Sequence, residues 1–192
     1  MVEKIATAIV GQMGDEKMIS QNMKEHYVYA LIIMTERWIT VGSIIGISII
    51  LNQFIPTLFF LGFFLCLRKR TGGYHANTFW QCYLATITTY LVVTFLSPLM
   101  IAYMEITYPL VIISVIIIAI IGTINHPNMN LDAHELRESK SAARWFITLE
   151  SMILFASILL GIQQSYISYM SLAIILCAAL MCVAKLLKQE VK

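Results

Sequence analysis

A short polar stretch between two apolar runs carries the residue types that could do chemistry. Within residues 68–82, three consecutive cations are followed by a glycine pair, a histidine and a cysteine. A cysteine thiolate is a strong nucleophile, and a nearby imidazole can take the proton of the thiol. Because apolar packing gives no reason to keep such a cluster, we interpret the stretch as a candidate nucleophilic site centred on His75 and Cys82.

The spacing of His75 and Cys82 decides how the backbone must run between them. On one straight helix the two residues would lie about 10.5 Å apart along the axis, whereas a base must come within about 3 Å of its nucleophile or reach it through one water. Gly72 and Gly73 supply a flexible break, and Thr78 begins a sequence of the S/T-x-x-Q capping-box form. The spacing predicts a helix that begins at Thr78, with Cys82 near its first turn and His75 on the preceding loop.

This position favours a thiolate at Cys82. The positive end of a helix, with Arg68 and Arg70 nearby, stabilises a thiolate relative to a thiol, and a protonated His75 would complete a thiolate–imidazolium pair. Backbone N–H groups around the glycine pair, or an arginine guanidinium, could hold a developing oxyanion. The pattern is typical of a cysteine acyl-transfer site.

Other interpretations of these residues stay open. A lone cysteine at a helix start is usually structural, and adjacent cations are most often topology determinants that contact lipid phosphates. A metal site through His75 and Cys82 lacks a third ligand with recognisable spacing, and no metal or other cofactor is expected. The alternative functions are a non-catalytic small peptide transporter or exporter, in which the motif gates the substrate, and a lipid-binding scaffold.

The composition indicates a membrane protein. Of the 192 residues, 59% are hydrophobic and 12% are charged, which is half of the roughly 25% charged residues in soluble domains. The net charge of +2 is too small to indicate binding of nucleic acid. We therefore predict an all-α polytopic membrane protein, with one integral membrane domain over residues 1–192.

The apolar runs predict six transmembrane helices. These are Trp38–Leu51, Ile55–Leu67, Cys82–Met104, Pro109–Ile124, Trp145–Gly161 and Tyr166–Leu187. Residues 1–26 form an N-terminal amphipathic segment, either at the membrane interface or as a solvated helix packed on the rest. The catalytic loop, 68–81, joins spans two and three, and a second polar loop, 125–144, joins spans four and five. In that loop Asp132 and Glu135 have capping-box spacing, which predicts a short surface helix.

The distribution of cations predicts the orientation of these spans. All 13 Lys and Arg residues fall on one side of the six-span arrangement. The positive-inside rule assigns that side to the cytoplasm. Both polar loops and both termini are therefore predicted to be cytoplasmic.

Glu150 is a carboxylate near the start of the fifth predicted span, where a charge is costly. It could orient His75 as a third catalytic member. It could instead reach the membrane interface or pair with Arg144, and the sequence leaves both interpretations open.

The motif Arg68-x4-Gly73-x-His75-x6-Cys82, on a six-span chain of this length, resembles the AgrB family. These proteins are membrane cysteine endopeptidases of peptide quorum sensing in Gram-positive bacteria. The resemblance covers nearly the whole chain. It implies that Cys82 is the nucleophile and His75 its general base, and that Arg68 and Gly73 match the family's important arginine and glycine.

The resemblance also implies a substrate and a setting. An AgrD-type propeptide would lose its C-terminal tail through a thioester on Cys82, and a Cys or Ser side chain of the retained peptide would then close a thiolactone or lactone ring. The product would be an autoinducing peptide. The resemblance further implies a homodimer in the bacterial cell membrane, in contact with lipids.

Overall fold

The computed structural model describes residues 2–15, 23–72, 79–125 and 131–187 of the chain. Within these ranges the chain is all-α, with seven helices and no strand. The helices are α1 (Val2–Asp15), α2 (Lys24–Ile50), α3 (Phe54–Thr71), α4 (Phe79–Ala102), α5 (Met104–Ile121), α6 (Ala133–Leu159) and α7 (Gln164–Leu186).

Five of the helices in the described part of the chain are long and apolar enough to cross a membrane. They are α2, α4, α5, α6 and α7. The second predicted span, α3, differs from them because its last turn carries Arg68, Lys69 and Arg70. The helix has 18 residues, about 27 Å at 1.5 Å per residue. The length and apolarity of these helices are those of a membrane protein.

The first predicted span begins earlier in the structure than in the sequence prediction. Helix α2 starts at Lys24, so residues 24–26 belong to it and not to the N-terminal segment. The polar residues 35–37 do not interrupt it, because Glu and Arg favour helices. The hydroxyl of Thr35 also donates to the carbonyl of Leu31 at 2.8 Å, which satisfies that hydroxyl inside the helix.

The two polar loops are shorter than predicted, because the neighbouring helices extend into them. Residues 68–71 form the last turn of α3, and residues 79–81 belong to α4. In the second loop, residues 133–144 are helical and continue without a break into the apolar part of α6. No Pro or Gly stands between Ala133 and Leu159 to stop that helix.

The predicted capping box at the start of α6 is confirmed. Asp132 Oδ1 accepts hydrogen bonds from the backbone N–H of His134 at 2.7 Å and of Glu135 at 2.8 Å. In return, the backbone N–H of Asp132 donates to Glu135 Oε2 at 3.0 Å. The box therefore starts a 27-residue helix and not the short surface helix that the spacing predicted.

Helix α7 lies at the centre of the bundle and holds α3 in place. It packs against α3, α4, α5 and α6, and its inner residues, such as Met170 and Ile174, are fully buried. Toward the start of both helices the ring of Tyr166 stacks on that of Phe59, with centroids 5.3 Å apart. Because α7 contacts α3 along its length, it fixes the helix that leads into the polar stretch.

Candidate active site

The structure separates the polar stretch into two helices, as the glycine pair predicts. Helix α3 ends at Thr71, and Gly72 follows with φ +64° and ψ −142°. A positive φ is readily available only to glycine, so the chain leaves the helix there. Since α4 begins at Phe79, a single helix through residues 72–82 is excluded.

Several of the predicted site residues lie outside the described residues. They are Gly73, His75 and Thr78. The predicted contact between His75 and Cys82 and the capping by Thr78 are therefore still predictions.

Cys82 lies in the first turns of α4, close to the predicted place. It is the fourth residue of that helix, and its side chain is partly exposed. The N-terminus of a helix carries partial positive charge, which stabilises an anion such as a thiolate within the first turn.

Aromatic side chains surround the turn that carries Cys82, and one of them, Tyr83, joins it to α2. The rings of Phe79, Trp80 and Tyr83 contact one another, with centroid distances of 5.5 to 5.9 Å. The hydroxyl of Tyr83 also donates to Ser43 Oγ of α2 at 3.0 Å. The start of α4 is thereby tied to α2, and the position of Cys82 is fixed with it.

Arg68 is the predicted partner that the structure brings to Cys82. Its guanidinium interacts electrostatically with Cys82 of α4 and with Cys177 of α7. Its Nη1 also donates to the carbonyl of Gly72, one turn further along the chain. A guanidinium can donate hydrogen bonds to a developing oxyanion.

Cys177 of α7 is a second thiol within electrostatic range of Arg68. It is fully buried, and its thiol lies 3.9 Å from the carbonyl oxygen of Phe64. The surroundings of Cys177 are consistent with a structural role, because a buried thiol has no access to a reagent or a substrate.

Arg70 is engaged elsewhere. Its guanidinium lies over the ring of Phe146 of α6, 5.9 Å from the ring centroid, which is a cation–π geometry. Its carbonyl accepts hydrogen bonds from Thr123 Oγ1 at 2.8 Å and from Ser139 Oγ at 3.1 Å. These contacts tie Arg70 to α6 and to the connection before it.

Glu150 is buried in the bundle, only 4% exposed. The alternative in which Glu150 reaches the membrane interface is therefore wrong. Arg144, the other predicted partner, donates from Nε to the carbonyl of Ala119 at 2.9 Å. Neither carboxylate oxygen of Glu150 has a hydrogen-bond partner among the described residues. The carboxylate interacts electrostatically with Cys177.

A resident metal ion has no obvious place in the described ranges. Residues 2–15, 23–72, 79–125 and 131–187 contain no group of three or more His, Cys, Asp or Glu side chains that could hold a metal ion.

Comparison with known proteins identifies the family. No characterised protein and no solved structure matches the chain. The family model described as accessory gene regulator B, AgrB, matches residues 2–184. That match includes both helices of the polar stretch and all of the spans except the last two residues of α7. The chain therefore belongs to the AgrB family.

Proposed function

We propose that this protein is a cysteine endopeptidase whose nucleophile is Cys82 and whose substrate is an AgrD-type propeptide. The observation that carries the proposal is the position of Cys82, at the N-terminal end of α4 and within electrostatic range of the guanidinium of Arg68. Membership in the AgrB family indicates a role in the processing of a quorum-sensing peptide in the membrane. The site supplies the chemistry that such processing needs.

In the first step, the Cys82 thiolate attacks the carbonyl carbon of a peptide bond near the C-terminus of the propeptide. A C–S bond forms and the C–N bond breaks. The tail leaves as an amine, which takes up the proton that the thiol gave to a base. The retained peptide stays on the enzyme as a thioester.

In the second step, a Cys or Ser side chain within the retained peptide attacks the thioester carbonyl. The C–S bond to Cys82 breaks, the thiol is regenerated, and a thiolactone or lactone ring closes. Because a thioester keeps the acyl group activated, ring closure needs no further energy source. A site that excludes water favours ring closure over hydrolysis.

The surrounding residues have distinct roles in this proposal. Arg68 stabilises the thiolate and then the oxyanion that forms on the attacked carbonyl. His75 is the general base and acid, as the family motif implies, and the N–H groups at Gly72 and Gly73 are further oxyanion donors. Glu150 is assigned no step in this reaction, because its backbone lies about 16 Å further along α6 than that of Ser139, which contacts the end of α3.

The proposed setting is the bacterial cell membrane. Six spans, with α3 as the second, would place the basic end of the bundle and both termini in the cytoplasm. Lipid phosphates would contact the cations at that end. The homodimer that the family resemblance implies belongs to the same proposal.

Selective alkylation of Cys82 tests the assignment and separates it from the exporter alternative. The purified chain in lipid nanodiscs is treated with iodoacetamide at neutral pH, and the four cysteine-containing sites are followed by peptide mass spectrometry. Cys66 is the reference thiol, because its side chain faces the outside of the protein near the basic end of α3. We expect Cys82 to react first and to be protected when the propeptide is added.

A different order of reaction would reject the nucleophile assignment. If labelling follows exposure, with Cys66 ahead of Cys82 and no protection by the propeptide, the thiol is not activated and the exporter interpretation is favoured. A Cys66→Ser variant serves as the control, since it should leave the reactivity of Cys82 unchanged.

A further inference from the structure

The last carbonyls of α3 have partners that the helix itself cannot supply. The carbonyl oxygen of Arg70 accepts from Thr123 Oγ1 at 2.8 Å and from Ser139 Oγ at 3.1 Å. The carbonyl oxygen of Thr71 accepts from the backbone N–H of Ile124 at 3.0 Å. The last four carbonyls of a helix lack intrahelical donors, so these bonds satisfy two groups that would otherwise be unpaired. We call Thr123, Ile124 and Ser139 the α3 clamp.

Two of the three residues of the α3 clamp are fully buried, Ser139 is partly buried, and the clamp is anchored on its own side. Thr123 and Ile124 are fully buried, and Thr123 Oγ1 also lies 3.2 Å from Ser139 Oγ. The neighbouring Asn125 closes the connection by donating from Nδ2 to the carbonyl of Leu131 at 3.1 Å and accepting from the N–H of Leu131 at 3.0 Å. The clamp is therefore a fixed point against which the end of α3 rests.

The clamp acts on the same helical turn that carries Arg68. Helix ends fray when their terminal carbonyls have no partner, and Arg68 is only three residues before the last residue of α3. If that turn unwound, the guanidinium would lose its bond to the Gly72 carbonyl and would move relative to Cys82, which is now within its electrostatic range. The hydroxyls of Thr123 and Ser139 oppose that unwinding from a different part of the chain.

We propose that Thr123 and Ser139 are positioning residues that hold Arg68 within electrostatic range of Cys82. They do not touch the nucleophile; they fix the turn from which the guanidinium extends. This inference deepens the proposed function, since it assigns the connection between α5 and α6 a part in setting the charge at the nucleophile. It gives a role to residues that no motif singles out.

The electrostatic potential at Cys82 can be measured, and it would not change if Thr123 and Ser139 only stabilised the fold. Two methanethiosulfonate reagents of similar size are compared, one with an anionic sulfonate and one with a cationic trimethylammonium group. The ratio of their rates at the Cys82 peptide reports the positive charge near that thiol. The full chain in nanodiscs is used, and peptide mass spectrometry separates Cys82 from the other cysteines.

Two variants remove one clamp hydroxyl each. Arg68→Gln should lower the ratio of the anionic to the cationic reaction rate at Cys82 by about fivefold. Thr123→Val and Ser139→Ala should each lower this ratio in the same direction. Thr123→Ser keeps the hydroxyl and should keep the ratio. Thr107→Val is the matched control, because Thr107 is an equally buried hydroxyl bonded to the carbonyl of Met100, far from the site.

The double variant decides whether the clamp acts through Arg68. In an Arg68→Gln background, Thr123→Val should cause no further fall in the ratio. An unchanged ratio in both Thr123→Val and Ser139→Ala, or a further fall in the Arg68→Gln background, would overturn the proposal. If Thr123→Val does not fold, Ser139→Ala and its double variant give the same decision. The ratio of reagent rates does not depend on peptide cleavage. A failure of the endopeptidase proposal would appear in the cleavage assay and would leave this ratio unchanged.

Discussion

Arg68 and Cys82 lie on different helices, and the guanidinium of the first interacts electrostatically with the thiol of the second. Arg68 extends from the last turn of α3, and Cys82 from the start of α4. The Arg68 side chain and the N-terminal end of α4 both carry positive charge. This relationship joins the two ends of the polar stretch.

Removing the guanidinium should slow acylation of Cys82. We expect Arg68→Gln to lower the rate of propeptide cleavage by roughly 100-fold, the size of effect seen when one oxyanion donor is lost. Lys69→Gln is the matched control, because Lys69 is the exposed cation next in the chain. Cleavage rates in nanodiscs check this, and equal losses at positions 68 and 69 would instead favour a general effect of positive charge.

The tether between α4 and α2 should contribute to stability. Tyr83→Phe keeps the ring contacts of Tyr83 but removes its hydrogen bond to Ser43 Oγ, so the free energy of unfolding should fall by about 1 kcal/mol. Ser43→Ala should cost a similar amount, and the double variant little more than either. Thermal unfolding in one detergent measures all three, and fully additive losses would show that the hydroxyls are not coupled.

The start of the α5–α6 connection should tolerate a side chain poorly. Gly122 has φ +72°, and a Cβ there would meet Lys140 Cγ at 2.9 Å, whereas Gly161 has φ +64° and open space around it. Both changes to alanine strain the backbone, by about 1–3 kcal/mol, but Gly122→Ala should cost more because of the contact. Lys140→Ala should restore part of that difference, and equal losses of stability at the two glycines would contradict the geometry.

Burial of Glu150 without a described partner should be unfavourable for folding. Glu150→Leu removes two oxygens that have no partner among the described residues. We therefore expect the free energy of unfolding to rise by about 1 kcal/mol. Glu105→Leu is the control, because Glu105 is an exposed acid in the first turn of α5. Its removal should not raise the free energy of unfolding, since an acid at a helix N-terminus is favourable. A stable Glu150→Leu protein that no longer cleaves the propeptide would assign Glu150 to the catalytic machinery.

The local features of the fold could be predicted from the sequence. The glycine pair predicted a break in the helix, which the structure has at Gly72, and the Asp132–Glu135 spacing predicted that a helix starts at that place, because both depend on residues close together in the chain. Helix extents were harder, since Thr35, Glu36 and Arg37 look like an interruption but are compatible with a helix.

The contacts that complete the site could not be predicted in this way. Thr123 is 53 residues from Arg70, and Ser139 is 69 residues from it. A single hydroxyl in an apolar chain has no periodicity that would indicate its partner. The same holds for Cys177, whose neighbour Arg68 comes from another helix. These pairings depend on how the helices pack, which only the structure shows.

The most direct test of the account is the mass of the enzyme after brief mixing with an AgrD-type propeptide. The proposed thioester predicts a covalent adduct on the Cys82 peptide, with the mass of the propeptide minus that of the released tail, and sensitivity to hydroxylamine. Cys82→Ser should fold, insert and form no such adduct, while Cys66→Ser should form it normally. Cleavage of the propeptide by Cys82→Ser, or an adduct at a different residue, would contradict the central claim.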